Sequence, residues 1–394
     1  MWGLSDNAIN IISVKENTQA GLNIIHGTLL GEPLHKLNVV ALSKIMDYLN
    51  DIQPKTFVAV PDMFNWIRDI MIDAIATGLF GDMNPLTLEH AHLLWTYDNK
   101  QSLVALDVAP RFMIRDALKA RDGINKLLLS YYQGGGEDGP RVSEIVRQRA
   151  KLLRGHGFDD DDLAHMEFLL PWVGSTNTIP TSFWLFVRVF TNPDYISRIR
   201  DEIESILILK DTSEGRTATF DVRKLEKDCP FLNAVYQEVL RFYAHPVGNR
   251  MVMQDTKIQD AEGNKYLLKK GVNVQWPPMV TQSNDTIWGQ DADAFRPERF
   301  LDVTAQDEKL RRGAILAFGG GRHLCPGRKF ALSEILGLVG VIVLGFEVEG
   351  LSLPDSTDAG VGVGVRPAQW ESQDRGFSLS RREGWENVTW IFEE

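Results

Sequence analysis

The chain has 394 residues, 44% of them hydrophobic, enough for one large core or two ordinary ones. A formal net charge of −11 leaves no overall positive field to attract phosphate, which argues against a nucleic-acid partner. Two cysteines, Cys229 and Cys325, cannot build a disulfide framework and point to a reducing compartment.

No secretory leader or membrane-spanning run is read in the first residues. Residues 1–132 are expected to be mostly helical, with apolar periodicity over 37–49, 64–80 and 103–129. Pro85 marks a turn, and His90 and His92, two apart, would diverge on a helix and hold no metal together. Residues 134–140 read as a glycine-rich loop, 143–154 as a charged helix, and the acidic run 159–162 suits a helix N-terminus.

A long helix is predicted from about 161 to 191. Its apolar run 168–190 is long enough to span a bilayer, but Pro171, Asn177 and Pro180 argue against that. Pro180 removes a backbone N–H and crowds the preceding turn, so the helix should loosen near Thr176. A loosened turn bearing Thr176, Asn177 and Thr178 suits a water or dioxygen molecule; the alternative is a kinked buried helix with satisfied side chains.

Residues 192–229 read as two charged surface helices joined by a polar loop, 210–219. The helix over 231–242 carries Glu238 and Arg241, three apart and so on one face. Alone such a pair is common and worth little. Residues 251–276 suggest short strands around Glu262-Gly263-Asn264, and Phe295-Arg296-Pro297-Glu298-Arg299-Phe300 follows. After residue 350 comes a tail rich in Gly, Pro and Asp, with short strands over 377–380 and 388–392.

The most informative stretch is Phe318-Gly-Gly-Gly-Arg-His-Leu-Cys-Pro-Gly327. Its glycines allow backbone to pass close to a flat ligand. Cys325 stands just before an apolar helical run, where a helix N-terminus lowers a thiol pKa from about 8.5 toward the metal-binding thiolate. Pro326 removes one N–H donor near the sulfur.

The pattern of Phe318, Gly321, Cys325 and Gly327 resembles the haem-ligand signature of the cytochrome P450 family, which implies a mainly α fold with small β-sheets (α+β). The resemblance assigns Cys325 as thiolate ligand of haem b, with Phe318, Gly321, His323, Gly327 and Arg250 around the cofactor. His323 stands where the family usually has arginine, and its charge depends on pH. Glu238, Arg241 and Arg299 are expected to form a buried ion trio that fixes the cysteine loop. Thiolate ligation favours O–O cleavage, so the implied enzyme is a haem-thiolate monooxygenase fed with electrons from NADPH through a reductase.

In the family the loosened turn usually carries an acidic residue and a threonine that relay protons; here Thr176 and Asn177 occupy those places. The run 172–184 resembles the branch holding sterol 7α-hydroxylases and prostacyclin synthase, which includes both oxygenases and an isomerase needing no external electrons. Three readings follow. The first is an oxygenase acting on a sterol-, terpenoid- or polyketide-like lipophile, with a cysteine loop similar to fungal secondary-metabolism forms. The second is a haem-thiolate isomerase or dehydratase acting on a peroxide, and the third a shortened, non-catalytic member.

Relative to the family, the chain reads as one N-terminally shortened domain, 1–394, lacking the anchor and first strands. Strands within 251–276 should then expose an unpaired sheet edge. The resemblance implies the cytosolic face of the endoplasmic reticulum membrane, although a chain without an anchor is also compatible with a soluble form. Lys309, Arg311, Arg312, Arg322, Arg328 and Lys329 gather around the ligand loop and suit docking of an acidic electron-donor protein.

Overall fold

The helix Arg328–Gly345 has no polar face, so it can only be stable if surrounded. In the computed structural model, which describes residues 3–106, 109–213, 215–354, 365 and 376–392, every residue of this helix from Glu334 to Gly345 is buried. It packs against Gly31–Asn50, Thr178–Phe190, Pro193–Ile206 and Val222–Asp228. Close approach requires glycine at one crossing: a Cβ on Gly337 would lie 2.4 Å from Leu42 Cδ2.

The helices predicted over 37–49 and 64–80 are Gly31–Asn50 and Met63–Phe80, the latter capped by Asp62 accepting from the Asn65 N–H. The run 103–129 is divided into Gln101–Leu106 and Arg115–Gln133, with Pro110 between them. The charged helix is Glu144–Gly155, yet it is not wholly a surface element. Arg149 is buried and pairs at 2.7 Å with the fully buried Glu167.

Ten strands among the described residues form four small sheets. β1 (Val58–Val60), β9 (Phe377–Arg381) and β8 (Phe346–Glu349) are antiparallel in that order. β2 (Ile208–Thr212) and β3 (Gly215–Phe220) form a hairpin, and β10 (Val388–Phe392) joins β3 in parallel. The loop expected over 210–219 is therefore strand. Ala218, Thr219 and Phe220 are all buried, and their partner strand lies some 170 residues away, beyond the reach of local pattern.

β4 (Gly248–Met251) pairs only with β7 (Asn273–Trp276), and β5 (Thr256–Gln259) only with β6 (Lys265–Leu268). Both ribbons leave their outer edges unpaired among the described residues, as expected, and they expose Met251, Met253, Tyr266 and Leu267. Most of the Gly-, Pro- and Asp-rich tail lies outside the described residues.

Candidate active site

The cysteine loop is built by its glycines. Gly319 and Gly321 adopt φ of +70° and +59°, a region side chains avoid, and the Cys325 N–H closes the loop on the Phe318 carbonyl at 2.9 Å. The chain then enters Arg328–Gly345 through Gly327, whose carbonyl accepts from the Ala331 N–H. The backbone amides of Gly327 and Arg328 reach the Cys325 sulfur. Burial nonetheless outweighs those amides and the Arg328 charge, and the free thiol is held above its ordinary value. The expected lowering by the helix N-terminus is overridden by desolvation.

Cys325 lines a cavity of about 400 Å³ together with Ala317, Phe318, Pro326, Gly327 and Phe330. Another part of its wall is the helix predicted over 161–191, which is in fact three pieces: Asp160–Glu167, Leu169–Ser175 and Thr178–Phe190. Pro180 has no N–H to give the Thr176 carbonyl, so the ladder fails at Thr176 and Asn177. Gly174, Asn177, Thr178 and Thr181 face the cavity, one helical stripe; Thr176 lies off that wall. Asn177 Oδ1 accepts from the Val365 N–H at 3.1 Å, and the Asn177 carbonyl accepts from the Thr181 hydroxyl at 2.7 Å. Thr181 escaped the sequence reading, although its i+3 and i+4 offset from Thr178 and Asn177 was the signal for it.

The rest of the lining is apolar apart from Tyr236, and it contains no charged side chain. Among the described residues no group of three His, Cys, Asp or Glu could hold a bare metal ion. A single thiol on an apolar wall holds a metal only if the other ligands arrive with it, as in a metallated macrocycle. The cavity therefore fits haem. A larger polar groove of about 740 Å³ lies apart, lined by Lys44, Asp73, Asp82 and Arg141, whose charges are already paired with one another.

Glu238, Arg241 and Arg299 are brought together and buried. Arg241 donates twice to Glu238, at 2.6 Å each, and Arg299 Nε lies 3.6 Å from Glu238 Oε1. The remaining Arg241 donors reach the carbonyls of Gln282, Ala292 and Ala294 at 2.7–3.0 Å. The sequence did not reveal two further members. Asp291 accepts from Arg299 and Arg296 at 2.9 Å, which hold its carboxyl down at about 2. The Gln282 amide donates to three carbonyls at the end of Pro230–Tyr243.

A model of the cytochrome P450 family matches residues 18–371. The chain belongs to the cytochrome P450 family. A cytochrome P450 monooxygenase of Gibberella zeae is 33% identical over 91% of this chain and 70% of its own length. The cytochrome P450 monooxygenase nodJ of Hypoxylon pulicicidum is 27% identical over 82% of this chain and 63% of its own. Human prostacyclin synthase is 26% identical over half of this chain and 41% of its own length. The solved structure of retinoic acid bound cyanobacterial CYP120A1 superposes with a TM-score of 0.70 at 20% identity, over 92% of this chain and 79% of that one. The fold is thus the P450 fold, mainly α with small sheets. The family's cofactor is haem with a cysteine thiolate on iron, and its electrons come from NADPH through a reductase.

Within this P450, the structure does not bring every candidate to the cavity. Arg250 sits on the exposed β4–β7 ribbon, donates to its neighbour's carbonyl at 2.7 Å and lies over the Trp276 ring. His323 is exposed in the turn Gly321–His323. Neither lines the cavity, because the loop and the ribbon turn these side chains outward. Part of the basic cluster is engaged: Arg312 pairs with Glu308, Lys329 with Glu226, and Arg311 reaches the Arg299 carbonyl. Arg328 donates to the Cys325 carbonyl at 3.0 Å. Among the described residues no helix is long and apolar enough to cross a membrane.

Proposed function

We propose that this P450 inserts one oxygen atom into a lipophilic small molecule of sterol, terpenoid or polyketide type, with Cys325 as the haem ligand. The observation that carries this reading is the shared cavity of the lone thiol and the broken-helix stripe Gly174, Asn177, Thr178 and Thr181. Haem bound there supplies dioxygen activation, with thiolate donation favouring O–O cleavage. Cys325 donates electron density, tempered by the Gly327 and Arg328 amides. Apolar walls exclude water and select an apolar substrate. The hydroxyls of Thr178 and Thr181 can each accept and pass a proton, whereas the Asn177 amide only orients, its oxygen being held by Val365.

The chain acts as one domain, 1–394: one apolar cluster runs from Ala8 to Phe392. An acidic reductase docks on the Cys325 face, where Lys309, Arg322 and Arg328 remain beside the paired Arg312 and Lys329. The setting is the cytosolic face of the endoplasmic reticulum, in secondary metabolism, in keeping with the fungal relatives.

A shifted, thiolate-type Soret band in the reduced, carbon monoxide-treated protein is expected, and its loss in Cys325→Ala. A wild-type protein that takes up no haem defeats the proposal. One observation favours a second reading, isomerisation or dehydration of a peroxide: the cavity wall has no carboxylate to feed a proton relay. Turnover that continues without NADPH and reductase selects it.

A further inference from the structure

Asn177 stands where the cavity-facing helix breaks, and the two ends of its amide have different surroundings. Its Oδ1 accepts the Val365 N–H at 3.1 Å, and Val365 is itself buried and on the cavity wall. A main-chain N–H can only donate, so this contact decides which end of the amide is oxygen. The Nδ2 end carries two hydrogens and has no acceptor among the described residues. Asn177 lines the cavity and is exposed, so a molecule entering there can reach those hydrogens.

The oxygens around the break are, by contrast, already engaged. The Asn177 carbonyl accepts from the Thr181 hydroxyl at 2.7 Å and from the Thr181 N–H at 3.2 Å. The Thr178 carbonyl accepts from the Ser182 hydroxyl at 3.0 Å. Thr181 has thereby committed its proton, the Tyr236 hydroxyl is buried, and the Thr178 hydroxyl can turn to serve either sense. The Asn177 amide is thus a donor of fixed sense in a lining that is mostly apolar and uncharged. A ligand hydroxyl beside it would have a proton of its own to place among these engaged oxygens, whereas a ketone accepts and donates nothing. A ligand without an acceptor leaves the amide hydrogens desolvated and unpaired, and that difference is how a placed donor discriminates.

We propose that Asn177 is a specificity-determining residue whose Nδ2 donates to a carbonyl oxygen of the substrate, so that the preferred ligand is a lipophile bearing a ketone. The Val365 N–H is the group that holds the amide in that sense. The inference rests on the oxygenase reading above and narrows its substrate class.

The test titrates the haem-loaded protein with two matched sets, androstane with its ketone and its alcohol, and decalin with its ketone and its alcohol. Binding is read from the shift of the Soret band. In the wild type a ketone should bind about tenfold more tightly than its hydrocarbon, the worth of one hydrogen bond, with the alcohol between. Asn177→Asp keeps an acceptor for the Val365 N–H but loses both amide hydrogens, and Asn177→Leu loses both ends. The ketone preference should vanish in Asn177→Leu and reverse in Asn177→Asp, whose charge repels a carbonyl oxygen. A role limited to holding Val365 gives the opposite order, with Asn177→Asp like the wild type and Asn177→Leu impaired. That order, or a wild type that binds no ketone more tightly than its hydrocarbon, overturns the inference, while a thiolate-type Soret band keeps the functional reading intact. A wild-type protein lacking that band overturns both. If neither variant takes up haem, the infrared carbonyl stretch of an isotopically labelled ketone bound to the wild type decides. A stretch below its value in alkane solvent supports the bond, and an unshifted one overturns it.

Discussion

Replacing Glu238 by glutamine removes one charge and almost no volume, so it isolates what the carboxylate does. Glu238 is fully buried, and its oxygens accept two bonds from Arg241 at 2.6 Å and the Arg296 N–H at 2.7 Å, with Arg299 at 3.6 Å. Glutamine keeps one acceptor oxygen but presents an amide to a guanidinium that can only donate. Arg241 and Arg299, 2% and 7% exposed, would keep their positive charges with no buried anion between them. Breaking a buried pair from one side costs about 3–5 kcal/mol, because the remaining charge stays desolvated. The carbonyls already bound to Arg241 and the Asp291 contact of Arg299 hold the loss near the lower end, roughly 3 kcal/mol. That is a large part of the 5–15 kcal/mol typical of native proteins. Urea unfolding followed by far-UV circular dichroism, with equal m-values checked, measures it. A loss below about 1 kcal/mol would refute the reasoning, since it would mean water reaches the two arginines.

Gly337→Ala places a methyl group 2.4 Å from the buried Leu42 Cδ2, and overpacking there should destabilise by about 1–3 kcal/mol in the same urea assay. Gly313→Ala, on an exposed helix with nothing within 4 Å of the new Cβ, should stabilise by a few tenths up to about 1 kcal/mol. The Asp291 carboxyl is depressed to about 2, so its stabilising contribution is complete above the unfolded value near 3.9 and disappears as pH falls through 2. Asp291→Asn should accordingly flatten the acid limb of stability between about pH 4 and 2, read by denaturation at stepped pH. Thr178→Val, on the cavity wall, should reduce product formed per NADPH consumed by roughly tenfold. Thr176→Val, off that wall, should leave the ratio unchanged, and equal effects at the two positions would show that the break is arranged differently.

Short-range chemistry made part of this molecule readable in advance. Four fixed residues around Cys325 and the Pro180 break are local, since the glycines and the proline act on their own backbone. The Glu238–Arg241 pair was likewise visible as a three-residue offset. What escaped was long-range. β3 finds its parallel partner in β10 near the other end of the chain, and nothing in residues 210–219 encodes that distance. Asp291 and Gln282 join the ion trio only because Pro230–Tyr243 and the segment after Trp288 meet in space. His323 was singled out by motif position and Arg250 as a second haem-contact candidate; both are exposed, His323 in a turn and Arg250 on the β4–β7 ribbon, and local pattern does not fix how far either stands from the cavity lining. The thiol itself shows the limit of a one-variable argument, because burial and the helix N-terminus act in opposite directions and only the fold decides which is larger.

The two parts of the cavity wall are not independent supports. Arg328–Gly345 carries the cysteine loop at its N-terminus and packs along Thr178–Phe190, which begins at the Asn177 break. Trp184 on that second helix stacks on Tyr243 at 3.8 Å, and Arg188 donates to the Tyr243 hydroxyl at 2.8 Å. Tyr243 ends the helix that holds Glu238, Arg241 and Tyr236. Loop, broken helix and ion trio therefore close a ring of contacts around one apolar cavity. Because interiors are close-packed and transmit strain, a change in the trio should displace the thiol and the Thr178–Thr181 stripe together. A Glu238→Gln protein that still takes up haem should thus show altered iron–sulfur frequency as well as lost stability, although Glu238 does not line the cavity.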